Sequence, residues 1–514
     1  MTDKLQGFDM VVAITQASMN TQLFALYKAK DTAGQYIIKR DLDINLEESG
    51  IELTGTIGSP EGGGPWVEFG VPGNSRAALF YLPVSSGSLK HWVIEHGKPV
   101  QKTIDFTDLT YAFKVNLDLV GIQQDDIKNN IPIPPVVKQH LANFTDDLFT
   151  VRALFMDFQN TDLSAYDKAK STIPEVLNNV NDITAFQSAI SNHFTSLSGT
   201  KNPYILGYAI DSKNQNADAG LQPTFVPTGA TFSTFNDPHD SDLNALNFLV
   251  MTNKSGLPSA PGAGLFPENW VTTTDYDGAF VLDSKLLFEE WFLPTIRNSL
   301  GLSAPLRSGN TWALSSIVDE RITRANAIDY SLGLKWFTGD LHIHTTGVNS
   351  VKVCFENPSR SKAEIDISGS LRSRRDSWFY ASKLNLAKES VYSSSSLDFT
   401  MKITIIAGDK GQLVFSHKLT KGKPKTASGG TDLGGIIEVV LDKIFPVGHT
   451  VNDLITHNSD RLSSQLIDGV KNIDASLTKI NARFVMPAGG VFFFKNPQFN
   501  AEGDLLMEIS YKTN

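Results

Sequence analysis

The stretch VNDLITHNSDRLSSQLIDGVKNIDASLTKI, residues 451–480, carries the strongest periodic signal in the chain. Its apolar residues recur at helical spacing and are Ile455, Leu462, Leu466, Val470, Ile473, Leu477 and Ile480. Residues three, four and seven positions apart share one face of a helix. The stretch therefore predicts a long amphipathic helix whose apolar side must pack against a partner surface.

Three further stretches have the same periodicity. Near the N-terminus, an apolar face is formed by Phe8, Val12, Met19, Leu23 and Tyr27, and Gly34 closes the segment. Residues 166–197 and residues 282–300 also place apolar side chains at helical intervals. We expect helices in all three stretches, and the faces of the first and of residues 455–480 are the candidates for lining an apolar interior.

Between these helices the pattern is that of β-strands. Tyr111, Phe113, Val115, Leu117 and Leu119 alternate with Ala112, Lys114, Asn116 and Asp118. Such alternation predicts a strand with one apolar and one polar face. Denser apolar runs at residues 148–158 and 203–210 indicate more buried strands, and the region 311–419 is also strand-rich. The polar run at residues 211–242, which contains glycine and proline, predicts a long loop.

The order of elements is helix, strands, helix, strands, and a similar plan follows a polar linker at residues 255–264. A curved sheet wrapped along a long helix would bury the apolar faces of both. We therefore expect an α+β fold with two tandem units, residues 1–262 and 263–514. In each unit, a highly curved antiparallel sheet would wrap a long amphipathic helix.

Composition restricts the function. The formal net charge of −10 argues against a general nucleic-acid binder, because phosphate neutralisation needs a basic surface. A single cysteine, Cys354, excludes an intrachain disulfide bond. No secretory signal and no apolar run of membrane-spanning length is visible. We expect a soluble protein made in the cytoplasm, with any release by a route that needs no signal peptide.

Candidate catalytic and metal-binding motifs are incomplete. The loop at Gly62, Gly63 and Gly64 lacks the Lys-Ser/Thr pair of a phosphate-binding loop and predicts a structural turn. His342 and His344 would share one face of a strand, but nothing nearby completes a zinc site. Residues from Asp211 begin like a calcium loop and lack its glycine. We expect no catalytic residue, no metal and no cofactor.

Two basic clusters have two interpretations. Arg372, Arg374 and Arg375 form one, and the lysines at 418, 421, 423 and 425 form the other. Both could contact anionic lipid head groups, where each positive charge near the surface contributes about 1 kcal/mol. The alternative is a solvated strand end and hairpin tip, which is the usual role of such charges and is favoured for either cluster alone.

Several short motifs resemble the P47 proteins of clostridial neurotoxin gene clusters of the OrfX type and their bacterial relatives. The motifs are residues 7–12 with the helix that follows, Leu-Phe-Met-Asp-Phe at 154–158, Tyr-Ile-Leu-Gly-Tyr at 204–208, residues 266–278 and the helix containing Trp291 and Phe292. This family is similar to the tubular lipid-binding (TULIP) superfamily. The resemblance implies a helix wrapped by a curved sheet, and it brings no catalytic residues with it.

Three hypotheses about function follow. The first is a non-enzymatic TULIP-like accessory protein of a toxin or toxin-like gene cluster, which binds lipid or another apolar ligand, or other proteins of that cluster. The second is a structural or interaction module with solid cores, because an apolar helical stripe usually means burial alone. The third is a hydrolase whose residues come together only in the folded chain.

Overall fold

The structure is a computed structural model that describes residues 4–163, 165–197, 201–213, 225–252, 256–259, 262–332, 335–380, 389–409, 411–430, 451–477 and 480–512. Within these ranges the strands form three antiparallel sheets. We name them the N-terminal, the central and the C-terminal sheet.

The N-terminal sheet has eight strands in the order β19-β8-β7-β6-β5-β3-β2, with β4 paired to β5. Its strands are β2 (Asp41–Leu46), β3 (Ile51–Ile57), β4 (Trp66–Glu68), β5 (Ala77–Glu95), β6 (Lys98–Ile122), β7 (Phe149–Asp157), β8 (Ile205–Ser212) and β19 (Phe484–Val485). The alternation predicted for residues 111–119 is confirmed within β6. Residues 148–158 and 203–210 also form the expected strands, β7 and β8.

The central sheet has six strands in the order β20-β21-β11-β1-β10-β9. These are β1 (Met10–Thr15), β9 (Gly229–Phe235), β10 (Ala245–Met251), β11 (Gly278–Leu282), β20 (Val491–Phe499) and β21 (Leu505–Lys512). Strands from both halves of the chain pair in this sheet, since β1 lies between β10 and β11, and β11 pairs with β21. The two halves are therefore joined by hydrogen bonds, which sequence periodicity does not indicate.

The C-terminal sheet has seven strands in the order β12-β13-β14-β15-β16-β17, with β18 paired to β16. The strands are β12 (Leu306–Ser308), β13 (Thr311–Leu332), β14 (Lys335–Ser359), β15 (Lys362–Tyr380), β16 (Glu389–Ala407), β17 (Leu413–Lys421) and β18 (Lys425–Gly430). Their inner face is apolar, as Val353, Ile367 and Met401 illustrate, and their outer face is polar.

The helices are α1 (Gln16–Lys28), α2 (Gln124–Asn129), α3 (Pro135–Leu141), α4 (Val180–Ser196), α5 (Leu293–Leu300) and α6 (Val451–Leu477), and a π-helical segment, Lys285–Phe292, leads into α5. The long helix predicted from residues 455–480 is confirmed as α6. It packs against α5 and against β15, β16 and β17 of the C-terminal sheet. Helix α4 packs against β2, β3 and β5 of the N-terminal sheet.

Three sequence-based boundaries are wrong. The helix expected from Phe8 begins only at Gln16, because the β-branched run before Thr15 forms the central strand β1. Thr15 caps the helix, since its Oγ1 accepts a hydrogen bond from Ser18 N at 3.1 Å. The helix expected over residues 166–197 begins at Val180. The loop expected over residues 211–242 contains the strand β9.

Candidate functional site

The described members of the predicted lining set lie in buried hydrophobic clusters. Ten of the twelve side chains are described and at most 5% exposed: Phe8, Val12, Met19, Leu23, Tyr27, Ile455, Leu462, Leu466, Val470 and Ile480. The side chains of Ile473 and Leu477 lie outside the described residues. Val12 and Phe8 lie in different clusters on opposite sides of the central sheet. The ten described residues do not line either of the two surface depressions described below.

A cleft with a volume of about 730 Å³ lies where the C-terminal sheet meets the central sheet. The end of β16 forms one wall, with Ile406 and Ala407, and β20 forms the other, with Phe493 and Phe494. Its remaining lining residues are Tyr276, Ser361, Gly408, Asp409, Gly411, Lys495, Asn496, Ser510 and Tyr511. Ile406 is 37% exposed, which leaves its apolar side chain available to a ligand.

Gly411 holds the two walls together. Its carbonyl oxygen accepts a hydrogen bond from Phe494 N at 2.8 Å. Its backbone has φ +69°, and a Cβ atom at this position would lie 2.2 Å from Cδ1 of Phe493. A glycine is needed here for both reasons, because left-handed backbone is costly for other residues and the phenylalanine ring leaves no room.

The polar side of the cleft is built around Tyr276. Asn496 Nδ2 donates a hydrogen bond to the Tyr276 hydroxyl at 3.0 Å and another to the Glu508 carboxylate. Lys495 Nζ lies 5.6 Å from the centroid of the Tyr276 ring. Among the described residues, no carboxylate lies within ion-pair distance of Lys495. Among the described lining residues, the cleft therefore combines apolar walls with one positive charge, at Lys495, and one negative charge, at Asp409.

The titratable groups among the described lining residues are Tyr276, Asp409, Lys495 and Tyr511. Burial raises the pKa of the Tyr511 hydroxyl, and the neighbouring Asp277 carboxylate raises it further, so the hydroxyl stays protonated at neutral pH. Asp277 Oδ2 accepts a hydrogen bond from Tyr511 N at 2.6 Å and thereby fixes the end of β21. The described lining residues include no histidine and no cysteine.

The histidine pair and the cysteine have structural roles. His342 Nδ1 lies 3.1 Å from Thr323 Oγ1, and its ring stacks on Trp378 with the centroids 5.5 Å apart. His344 Nε2 lies 2.8 Å from Asp319 Oδ1. Both histidines thus have a side-chain partner on the neighbouring strand β13. Cys354 is partly buried.

Three carboxylates of the C-terminal sheet converge on a lysine. Glu356, Glu364 and Asp366 lie close enough together to hold a metal ion. Lys402 Nζ occupies the space between them, at 2.5 Å from Glu364 Oε2 and 3.3 Å from oxygens of the other two. The negative charges are therefore balanced by a side chain of the protein itself.

The two basic clusters divide between different surfaces. Arg375 is buried on the inner face of the C-terminal sheet, where its Nε donates a hydrogen bond to Thr345 Oγ1 at 3.3 Å. Lys421 pairs with Asp460 of α6 at 2.6 Å. Arg372, Arg374 and Lys425, in contrast, line one groove on the outer face. The structure thus brings together members of two clusters that are about fifty positions apart in the sequence.

Sequence reasoning did not identify the cleft. Its walls come from residues 406–411 and 493–496, which the chain brings together only through the packing of two sheets. One signal was present in the sequence. Residues 491–494 are all apolar, whereas a strand with one solvent-exposed face alternates apolar and polar residues. That run indicates apolar surroundings on both faces of β20.

The protein was compared with known families and structures. No protein-family model matches the chain, and no curated protein matches its sequence. The structure is similar to that of P47 from Clostridium botulinum A2, with a TM-score of 0.45, 12% sequence identity and 98% of each chain covered. It is also similar to a lipopolysaccharide-binding protein, with a TM-score of 0.27, 11% identity and 99% of each chain covered.

The first of these two structures is that of a P47 protein, the family that the sequence motifs resemble. Within the described part of the chain, no helix has both the length and the apolar character needed to cross a membrane.

Proposed function

We propose that the protein is a non-enzymatic binding protein that holds a lipid or another apolar ligand in the cleft between the central and C-terminal sheets. The observation that carries this proposal is the cleft itself, which combines about 730 Å³ of space with apolar walls and the ammonium group of Lys495. Binding sites for small molecules have volumes of a few hundred to about 1,000 Å³ and are mostly apolar with a few polar groups. An apolar ligand fits these walls, and an anionic group on it would pair with Lys495 and be repelled by Asp409.

We further propose that the chain contains two TULIP-like units, residues 1–262 and 263–514, each with a long helix against a curved sheet. The packing of α4 on the N-terminal sheet and of α6 on the C-terminal sheet supports this division. Because the central sheet takes strands from both halves, the units would share it. Lining of an interior by the faces of α1 and α6 stays a prediction.

A second candidate function is an interaction module without a ligand. The burial of the described side chains on the α1 and α6 faces favours it, because packing in the core is enough to explain why these residues are apolar. On this proposal the protein would act by docking to other proteins, for which the sequence resemblance suggests products of a toxin or toxin-like gene cluster. The neighbouring genes would test that part directly.

Native mass spectrometry of the gently purified chain tests ligand binding. We expect a mass above that of the polypeptide, and we expect solvent extraction of the denatured protein to release an apolar molecule. The purified chain should also bind a fluorescent fatty acid after extraction. A bare polypeptide mass together with no uptake of the probe would contradict the lipid proposal and favour the interaction module.

A further inference from the structure

The outer face of the C-terminal sheet carries a groove of about 510 Å³, roughly 30 Å along β16 from the cleft. Its lining residues come from five strands and are Ile317, Val318, Asp319, Thr346, Gly347, Val348, Arg372, Ser373, Arg374, Ser394, Ser395, Ser396 and Lys425. The groove is separate from the proposed ligand cleft, so its function can be tested independently.

Strand register places the basic residues in one row. Arg372 of β15 lies opposite Ser396 of β16, and Ser396 lies opposite Lys425 of β18. Neighbouring strands are about 4.8 Å apart, so the Cα atoms of Arg372 and Lys425 are separated by about 10 Å, with a serine hydroxyl between them. A group of the size of a phosphate can be contacted from both sides at this spacing.

Arg372 and Lys425 carry charges that no described residue neutralises. Arg372 Nε donates a hydrogen bond to Ser370 Oγ at 3.2 Å, and in the described part of the chain neither cation forms an ion pair. Arg374 differs, because it pairs with Asp376 at 2.8 Å. In a chain with a net charge of −10, two neighbouring cations without an acidic partner are a feature that needs an explanation.

The acidic residue of the groove is already paired. Asp319 Oδ1 lies 2.8 Å from His344 Nε2 and 3.8 Å from Arg321 Nε. It therefore does not cancel the charge of the Arg372 row. The hydroxyl group of Ser396, on the same outer face as Arg372, adds a hydrogen-bond donor for anionic oxygens, whereas that of Ser394 donates to the Ala427 carbonyl.

The same row ends in exposed apolar side chains. Ile317 of β13 lies opposite Val348 of β14, and Val348 lies opposite Arg372. Ile317 is 82% exposed and Val348 is 49% exposed. The row thus changes from apolar to cationic across five strands, which suits an anion that is attached to an apolar group.

We propose that this groove binds a phosphate-bearing anion through Arg372 and Lys425. Guanidinium and ammonium groups both bind phosphate oxygens strongly, and hydrogen bonds to an ionised acceptor are about twice as strong as neutral ones. The phosphate is carried either by a lipid head group or by a free phosphate ester. Contact with Ile317 and Val348 favours the lipid.

The test uses the full chain and the double variant Arg372→Gln/Lys425→Gln. A matched control, Lys418→Gln/Lys423→Gln, removes the same charge from exposed lysines that do not line the groove. In one arm, binding to phosphatidylcholine vesicles with and without phosphatidic acid is measured by co-sedimentation. In the other, glycerol 3-phosphate and inorganic phosphate are titrated in a calorimeter.

We expect binding in at least one arm, weakened about thirtyfold in the double variant and unchanged in the control, since each cation contributes about a factor of five. With a lipid as the source, vesicle binding requires phosphatidic acid, and Ile317→Ser weakens it further. With a free ester as the source, Ile317→Ser has no effect. Absence of binding in both arms, or equal binding by the double variant and the wild type, would overturn the proposal.

Discussion

His91 Nε2 lies 2.9 Å from Asp182 Oδ1, and both side chains are almost completely buried between β5 and the first turn of α4. The second carboxylate oxygen of Asp182 accepts a hydrogen bond from Lys102 Nζ at 2.7 Å. This carboxylate therefore ties α4 to both strands of the longest hairpin in the N-terminal sheet.

We predict that Asp182→Asn destabilises the protein, because it removes the charge that two buried or partly buried donors share. Breaking a buried pair costs about 3–5 kcal/mol, and partial exposure of Lys102 reduces the expected loss to about 2–3 kcal/mol. Urea unfolding followed by circular dichroism measures the change. The exposed Asp105→Asn on β6 serves as control, and equal midpoints for the two variants would contradict a structural role for the Asp182 carboxylate.

A second prediction concerns acid sensitivity and His193 of α4. Burial, together with the nearby positive charge of Lys39, lowers the pKa of His193 to about 4. Since the folded-state pKa lies below the unfolded value of about 6.5, the unfolded state binds more protons between these two pH values. Stability must therefore fall as the pH drops from about 6.5 to about 4, by about 2–3 kcal/mol.

The variant His193→Gln cannot take up this proton and should lose less stability on acidification than the wild type. The comparison is made by urea unfolding at about pH 7 and about pH 4.5. His457→Gln, at an exposed position of α6, should keep the full acid dependence. If the His193 variant and the wild type lose stability in parallel, this histidine does not contribute to the acid sensitivity.

The third prediction concerns Glu364. Desolvation raises the pKa of this buried carboxyl group, but hydrogen bonds from Lys362 and Lys402 outweigh desolvation and bring the pKa down to about 2. A depressed folded-state pKa stabilises the protein above the unfolded value of about 4.5, and this contribution is lost as the pH falls towards 2. Because both lysines are partly exposed, the contribution is about 1–2 kcal/mol.

Glu364→Gln should accordingly be less stable than the wild type at neutral pH, and the difference should shrink as the pH falls through about 4. Unfolding midpoints across this pH range are the measurement. Glu356→Gln, whose carboxylate is more exposed, is the matched control and should have a smaller effect. A difference between Glu364→Gln and wild type that stays constant down to pH of about 2 would contradict the assignment.

The predictable parts of the fold are the helices and strands whose apolar residues recur at a regular spacing within that one element. The stripe from Ile455 to Val470 indicated α6, and the alternation from Tyr111 to Leu119 indicated β6. Both patterns arise because one face of the helix or strand is buried and the other is exposed to solvent. The start of α1 was not predictable in this way, since β1 is buried on both faces and its apolar residues also fit a helical spacing.

Long-range pairing was the part that sequence could not supply. The central sheet joins β1 to β11, and β11 to β21, across more than two hundred positions. The outer groove depends on the register that sets Lys425 beside Arg372, and a shift of one residue would move either side chain to the other face. Neither relationship leaves a local signal, because both depend on which strands meet.

The glycine loop gives a fourth prediction, which concerns its structural interpretation. A Cβ atom at Gly64 would lie 2.6 Å from Cγ of Tyr27 on α1. The ring cannot move away freely, since the Tyr27 hydroxyl donates a hydrogen bond to the Ile57 carbonyl at 2.8 Å and Arg40 lies over the ring at 4.7 Å. We expect Gly64→Ala to destabilise the protein by about 1–3 kcal/mol.

Gly229→Ala is the control, because a Cβ atom there meets nothing within 4 Å. Equal unfolding midpoints for the two variants would contradict the packing role of the loop.

The last prediction separates the cleft from the outer groove. Ile406→Asp places a charge on the apolar wall of the cleft, where it would have to be desolvated by a bound acyl chain. We expect binding of a fluorescent fatty acid to fall at least tenfold, while the thermal midpoint changes little because Ile406 is exposed.

Ile317→Asp is the matched control, since it introduces the same charge at an exposed isoleucine on the outer face of the same sheet. It should leave fatty acid binding unchanged and weaken only the binding of phosphate-bearing vesicles, by adding a negative charge beside Arg372. If both variants lowered fatty acid binding equally, the probe would not be bound in the cleft, and the proposal that the cleft holds the ligand would be wrong.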